Sequence, residues 1–65
     1  MKITAAVGMK RYPMRGLEVE GAEAIDAAIE ALREEWKDSG SRGALIQRYN
    51  LPDSDRLTFY ATLAK

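Results

Sequence analysis

The sequence predicts a small α+β domain in which one amphipathic helix lies across a short antiparallel sheet. Three observations point to this. Residues 21–38 carry an apolar stripe at helical spacing, the flanking segments alternate apolar and polar residues with a period of two, and turn-forming residues separate these runs.

Each element follows from its residues. In 2–12, Ile3, Ala5, Val7 and Met9 alternate with smaller or more polar residues, as in a half-buried strand. Tyr12-Pro13-Met14-Arg15-Gly16 has turn chemistry, because proline fixes φ and glycine is free to make it positive. Leu17-Glu18-Val19-Glu20 alternates again as a short second strand running into the helix. At 100° per residue from Ile25, the side chains of Leu32, Trp36 and Ile29 fall within about 40°, and Ala22 and Ala28 within about 60°. That stripe requires a core. Gly21 is a weak helix start, lacking a capping side chain, whereas Asp38-Ser39-Gly40 offers glycine as a left-handed stop.

After the helix, 43–50 (GALIQRYN) reads as a third strand and Leu51-Pro52-Asp53-Ser54-Asp55 as a turn with side-chain-to-backbone bonds. In 56–63, Leu57, Phe59, Ala61 and Leu63 point one way and Thr58, Tyr60 and Thr62 the other. The resulting order is ββαββ in two layers, or βαββ if 17–20 is loop. The 65 residues make a single domain, without repeats or linkers.

A chain of this length buries only about 60% of the surface that its unfolded form exposes, so its stability is marginal. It has no cysteine for disulfides, and neither cysteine nor histidine for a structural zinc site. Good packing or self-association must compensate, and a homodimer is expected on size alone. The apolar run 3–9 is too short to span a membrane and lacks a signal-peptide cleavage site, which leaves a cytoplasmic protein as the expectation.

Ten acidic residues balance ten basic ones, yet they are segregated. Eight of the acids and two of the bases fall within 18–38, and the remaining two acids and eight bases lie outside it. The molecule is therefore electrically two-sided.

The residue types argue against catalysis, since there is no histidine base, no cysteine nucleophile and no phosphate loop between a strand and a helix. Asp53 and Asp55 supply too few oxygens for a calcium loop and read as an acidic turn, so neither a metal nor a cofactor is expected. If Ile3, Val7, Leu57 and Phe59 face the helix, then Lys2, Thr4, Lys10, Tyr12, Thr58, Tyr60 and Thr62 face outward. Tyr49 joins them if Ile46 points inward, and Arg15 lies close by. Tyrosines with neighbouring arginines are what protein interfaces prefer.

The expected function is a small protein-binding module, an adaptor or an inhibitor of a larger assembly, of the kind phages and plasmids encode. Its expected partner-binding residues are Lys10, Tyr12, Arg15, Tyr49, Thr58, Tyr60 and Thr62. Glu23, Asp26, Glu30 and Glu34 form one exposed acidic line on the helix, a secondary docking surface if they are more than a solvated face. Two alternatives use the same residues differently. A single-stranded nucleic acid would stack its bases on the tyrosines and place phosphates on Lys10, Arg11, Arg15, Arg42 and Arg48. A small ligand would instead be sequestered in a cleft between two subunits.

Overall fold

The computed structural model describes residues 1–63. It is an α+β fold in the order ββααβ: strands β1 (Lys2–Val7) and β2 (Lys10–Glu18), helices α1 (Ala22–Lys37) and α2 (Ser39–Tyr49), then strand β3 (Thr58–Thr62). The sheet is antiparallel, in the order β2-β1-β3. Among the described residues, no helix is long and apolar enough to cross a membrane.

The first hairpin turns earlier than the sequence suggests. Val7 pairs with Lys10, so Gly8 and Met9 alone make the loop, with Gly8 at φ 60°. Glycine at the first loop position suits a two-residue hairpin turn, whose twist matches that of the strands. The expected turn at 12–16 is instead an irregularity within β2. Pairing passes from Thr4–Pro13 to Lys2–Glu18, and Gly16 at φ 86° lets the extra residues bulge outward. Beyond the bulge, Met1 and Val19 exchange both backbone bonds, Met1 N to Val19 O at 2.7 Å and Val19 N to Met1 O at 2.8 Å. Residues 17 and 18 thus end β2 and do not form a separate strand.

Helix α1 closely matches the predicted one. Leu32 and Trp36 are buried, Ile25, Ala28 and Ile29 are half-buried, and Glu23, Asp26, Glu30 and Glu34 are exposed. Gly21 precedes it at φ 92° and ψ 137°, a conformation open only to glycine, which explains a start without a capping side chain. The helix does not end on a left-handed glycine. Asp38 breaks it in an extended conformation (φ −91°, ψ 120°), and its carboxylate accepts the Ser41 N–H at 3.0 Å to cap α2. Gly40 is inside α2.

Residues 43–50 form the body of α2, not a strand. Leu45 is buried, Ile46 and Tyr49 are packed on the core, and Asn50 closes the helix at φ 55°. Among the described residues the sheet therefore has three strands and the helical layer two helices, which corrects the expected ββαββ order while keeping the two-layer α+β class.

The core joins both layers: Ile3, Ala5 and Met14 from the hairpin, Leu32, Trp36 and Leu45 from the helices, and Leu51, Leu57 and Phe59 from the final segment. Each large apolar side chain buried here contributes about 1.5–3 kcal/mol. Trp36 packs edge-on against Phe59 (5.9 Å between centroids, 79° between planes), and its Nε1 donates to Ser54 O at 2.9 Å. Leu63, expected to face inward, is 80% exposed beyond the end of β3.

Arg42 fastens the chain around this centre. Its guanidinium lies 4.9 Å from the Trp36 ring centroid, its Nε donates to Trp36 O at 2.7 Å, and one terminal nitrogen meets Asp53 at 3.2 Å and Asp55 at 3.0 Å. Bonding to Asp55 and then to Asp53 raises the guanidinium pKa further above its already high value. The acidic turn thus grips an arginine, while Ser54 Oγ caps the local backbone by accepting the Arg56 N–H at 3.2 Å.

Candidate binding site

The pairing register settles which way Lys10, Tyr12, Thr58, Tyr60 and Thr62 point. Directly opposed residues of an antiparallel pair project from the same face. Ala5 is opposite both Tyr12 and Phe59, and Phe59 is in the core, so Tyr12 projects to the helix side. Lys10, opposite Val7, does the same. Both were expected on the outer face. The tight turn at Gly8-Met9 reverses the parity of β2, putting Arg11 and Pro13 outside in their place.

The outer face holds Lys2, Thr4, Ala6, Arg11, Pro13, Thr58, Tyr60 and Thr62. Its centre is covered, because Thr4 is flanked by Pro13 and Tyr60 and is only 7% exposed. Thr58 is exposed, while Tyr60 and Thr62 are half-buried. The three tyrosines therefore do not share one face.

What the fold assembles instead is a basic, aromatic notch between the edge of β2 and the end of α2. Tyr12 and Pro13 of β2 meet Tyr49 and Asn50 around a hollow of about 410 Å³. Arg11, Arg15 and Arg48 complete its lining. Lys10 extends the positive rim, with its Nζ 5.8 Å from the centroid of the Tyr12 ring. Both tyrosines are half-buried and packed against the core, so the notch has firm walls. Arg11, Arg15 and Arg48 are exposed.

Local structure explains why these residues meet. β2 is an edge strand, which is why Pro13 is tolerated in it. The last turn of α2 carries Arg48 and Tyr49, and α2 lies against β2. The left-handed Asn50 then turns the chain away, leaving the hollow open. Of the predicted residues, Tyr12, Arg15 and Tyr49 line this notch with Lys10 beside it, whereas Thr58, Tyr60 and Thr62 belong to the opposite edge of the sheet. Reading 43–50 as a strand leaves Asn50 unnoticed and gives Arg48 a place only among the phosphate contacts of the nucleic-acid alternative. The helical spacing Arg42, Leu45, Ile46, Tyr49 is the signal that would have revealed them.

The acidic line lies toward the other edge, because α1 packs against β3. Glu34 pairs with Lys37 at 3.7 Å, both side chains being about three-quarters exposed (76% and 75%), so that bond adds little. The chain matches no protein-family model, and the searches of curated proteins and of solved structures returned no match.

Proposed function

We propose that this chain is a non-catalytic, cytoplasmic protein-binding module, an adaptor or inhibitor that captures an acidic segment of a partner protein in the Tyr12–Tyr49 notch. The observation that carries this reading is the lining itself: two core-anchored tyrosines flanked by arginines, and no carboxylate among the lining residues. Rigid tyrosines give contact area at little entropic cost, and arginines bind carboxylates through two parallel hydrogen bonds. A hollow of about 410 Å³ accommodates one or two side chains, with the rim arginines left to meet acids on either side.

The single-stranded nucleic-acid alternative fits less well. Successive bases need a track of open aromatic faces. Here Tyr12 and Tyr49 are partly committed to the core, and Tyr60 lies on the far side of the sheet.

Titration of isotope-labelled protein with an aspartate- and leucine-rich peptide, and separately with oligothymidylate, tests the proposal by NMR. The peptide should shift the amide signals of Tyr12, Arg48, Tyr49 and Asn50, and Arg48→Glu should abolish the response. Equal shifts from both probes, or shifts that survive Arg48→Glu, would reject it.

A further inference from the structure

The two edges of the sheet are built differently. β2 is protected: Pro13 interrupts its row of donors and the bulge ending at Glu18 bends it away from a neighbour. β3 has no such device. Thr58-Phe59-Tyr60-Ala61-Thr62 contains no charge, proline or glycine, pairs in unbroken register with β1, and on its other side meets no strand among the described residues. Natural proteins rarely leave so regular an edge open unless another strand covers it.

The ladder shows what that edge offers. Met1 exchanges both backbone bonds with Val19, so odd-numbered residues of the first strand address β2 and even-numbered ones address β3. Thr58, Tyr60 and Thr62, opposite Ala6, Thr4 and Lys2, therefore turn their backbone groups toward β1. Phe59 and Ala61 present theirs to the open edge.

We infer that this edge is occupied by β3 of a second copy, antiparallel about a two-fold axis at Tyr60, giving a continuous six-stranded sheet. Phe59 of each copy then pairs with Ala61 of the other, and two donors and two acceptors per copy make four backbone hydrogen bonds.

Helix α1 makes a second copy the fitting partner. A groove of about 420 Å³ runs along this edge, between Asp26, Ile29, Glu30 and Arg33 of α1 and residues 59–61 of β3. It places the middle of α1 beside Tyr60, at the proposed axis. An antiparallel α1 pair centred there sets Ile29 against its own copy and Asp26 against Arg33 of the second molecule, twice over. The surface is thus self-complementary in charge as well as in backbone bonding. The two Glu30 side chains lie close to the axis, each three residues from Arg33 of its own helix.

Sedimentation equilibrium on the full chain tests this. The wild type should be a dimer at about 100 μM, as mass action requires for a modest affinity. Ala61→Pro deletes an outward donor while sparing the β1 ladder, and should give a folded monomer by circular dichroism. Arg33→Asp should weaken the dimer at least tenfold and Asp26→Arg with Arg33→Asp should restore it, since the pair is only exchanged. A wild-type monomer, or a dimer indifferent to both Ala61→Pro and Arg33→Asp, would overturn the inference. So would protection of the edge amides that appears only on adding host extract, because the occupant would then be a strand of another protein.

Discussion

Trp36 is where the packing account is most exposed to experiment. Stability of about 0.05–0.15 kcal/mol per residue gives a chain of 65 residues about 3–10 kcal/mol in all. Trp→Ala in a core removes about 3–5 kcal/mol. The edge-on contact with Phe59 accounts for about 0.5–1.5 kcal/mol of that cost. The Ser54 carbonyl also loses its indole donor, at about 1 kcal/mol. Trp36→Ala should therefore remove much of that stability and sharply lower the urea midpoint. Trp36→Phe separates these contributions, because it keeps a ring against Phe59 while deleting the N–H and part of the volume. Its cost should be about 2 kcal/mol, which lowers Tm by about 8–16 °C in a domain of this size. Urea unfolding followed by far-ultraviolet circular dichroism measures both variants without relying on the deleted fluorophore. If Trp36→Phe lies within about 0.5 kcal/mol of wild type, the range of a surface change, the indole bond to Ser54 contributes nothing. If Trp36→Ala also leaves the midpoint unchanged, Trp36 is not part of the core.

Gly21→Ser, a substitution that ordinarily improves a helix start, should here cost about 1–3 kcal/mol, because φ 92° with ψ 137° excludes a side chain; thermal melts would show the sign directly. Arg42→Gln should lower the urea midpoint, and the deficit should shrink at about 1 M salt, where the attractions to Asp53 and Asp55 are screened in the wild type as well. The Ser41 N–H holds the Asp38 carboxyl below the usual carboxylate range, so its stabilisation is complete above the unfolded-state value near pH 4 and disappears as pH falls through the folded one. Asp38→Asn, which caps without titrating, should flatten part of the fall of Tm between pH 5 and pH 2, as measured by calorimetry across that range.

The parts of the fold legible in the sequence are those where one period dominates over several turns or residues. Ile25, Ile29, Leu32 and Trp36 describe α1, and Phe59 gives the inward face of β3, with Leu57 buried just before it. The second helix was obscured by Gly40 and Gly43, which lower helix propensity, and by the Leu-Ile-Gln-Arg-Tyr run, which also reads as a strand. Its start depends on Asp38, a capping residue that also serves as the break after α1. The hairpin turn is hard to locate from the sequence because Pro13 and Gly16 advertise a turn more strongly than Gly8 does, yet their backbone is accommodated in an edge strand. That single displacement reversed the face of Lys10 and Tyr12. The candidate site was thus legible in its composition, tyrosines with bases, and not in its location. Its location depends on a residue-by-residue parity and on a helix whose period was hidden.

Strand order also has a consequence for the chain as it is being made. The hairpin of β1 and β2 is local and forms within microseconds of becoming free to fold. The other neighbour of β1 is encoded about fifty residues later, since Val7 is followed by Thr58 at the nearest end of β3. At about 5–20 residues per second, the ribosome needs about 3–10 s to deliver it. Throughout that interval the central strand of the finished sheet is an edge, and its Ala5-Ala6 stretch has neither bulk nor charge to discourage a neighbouring nascent chain. The last of the described strands to emerge is therefore the one that ends this exposure of β1.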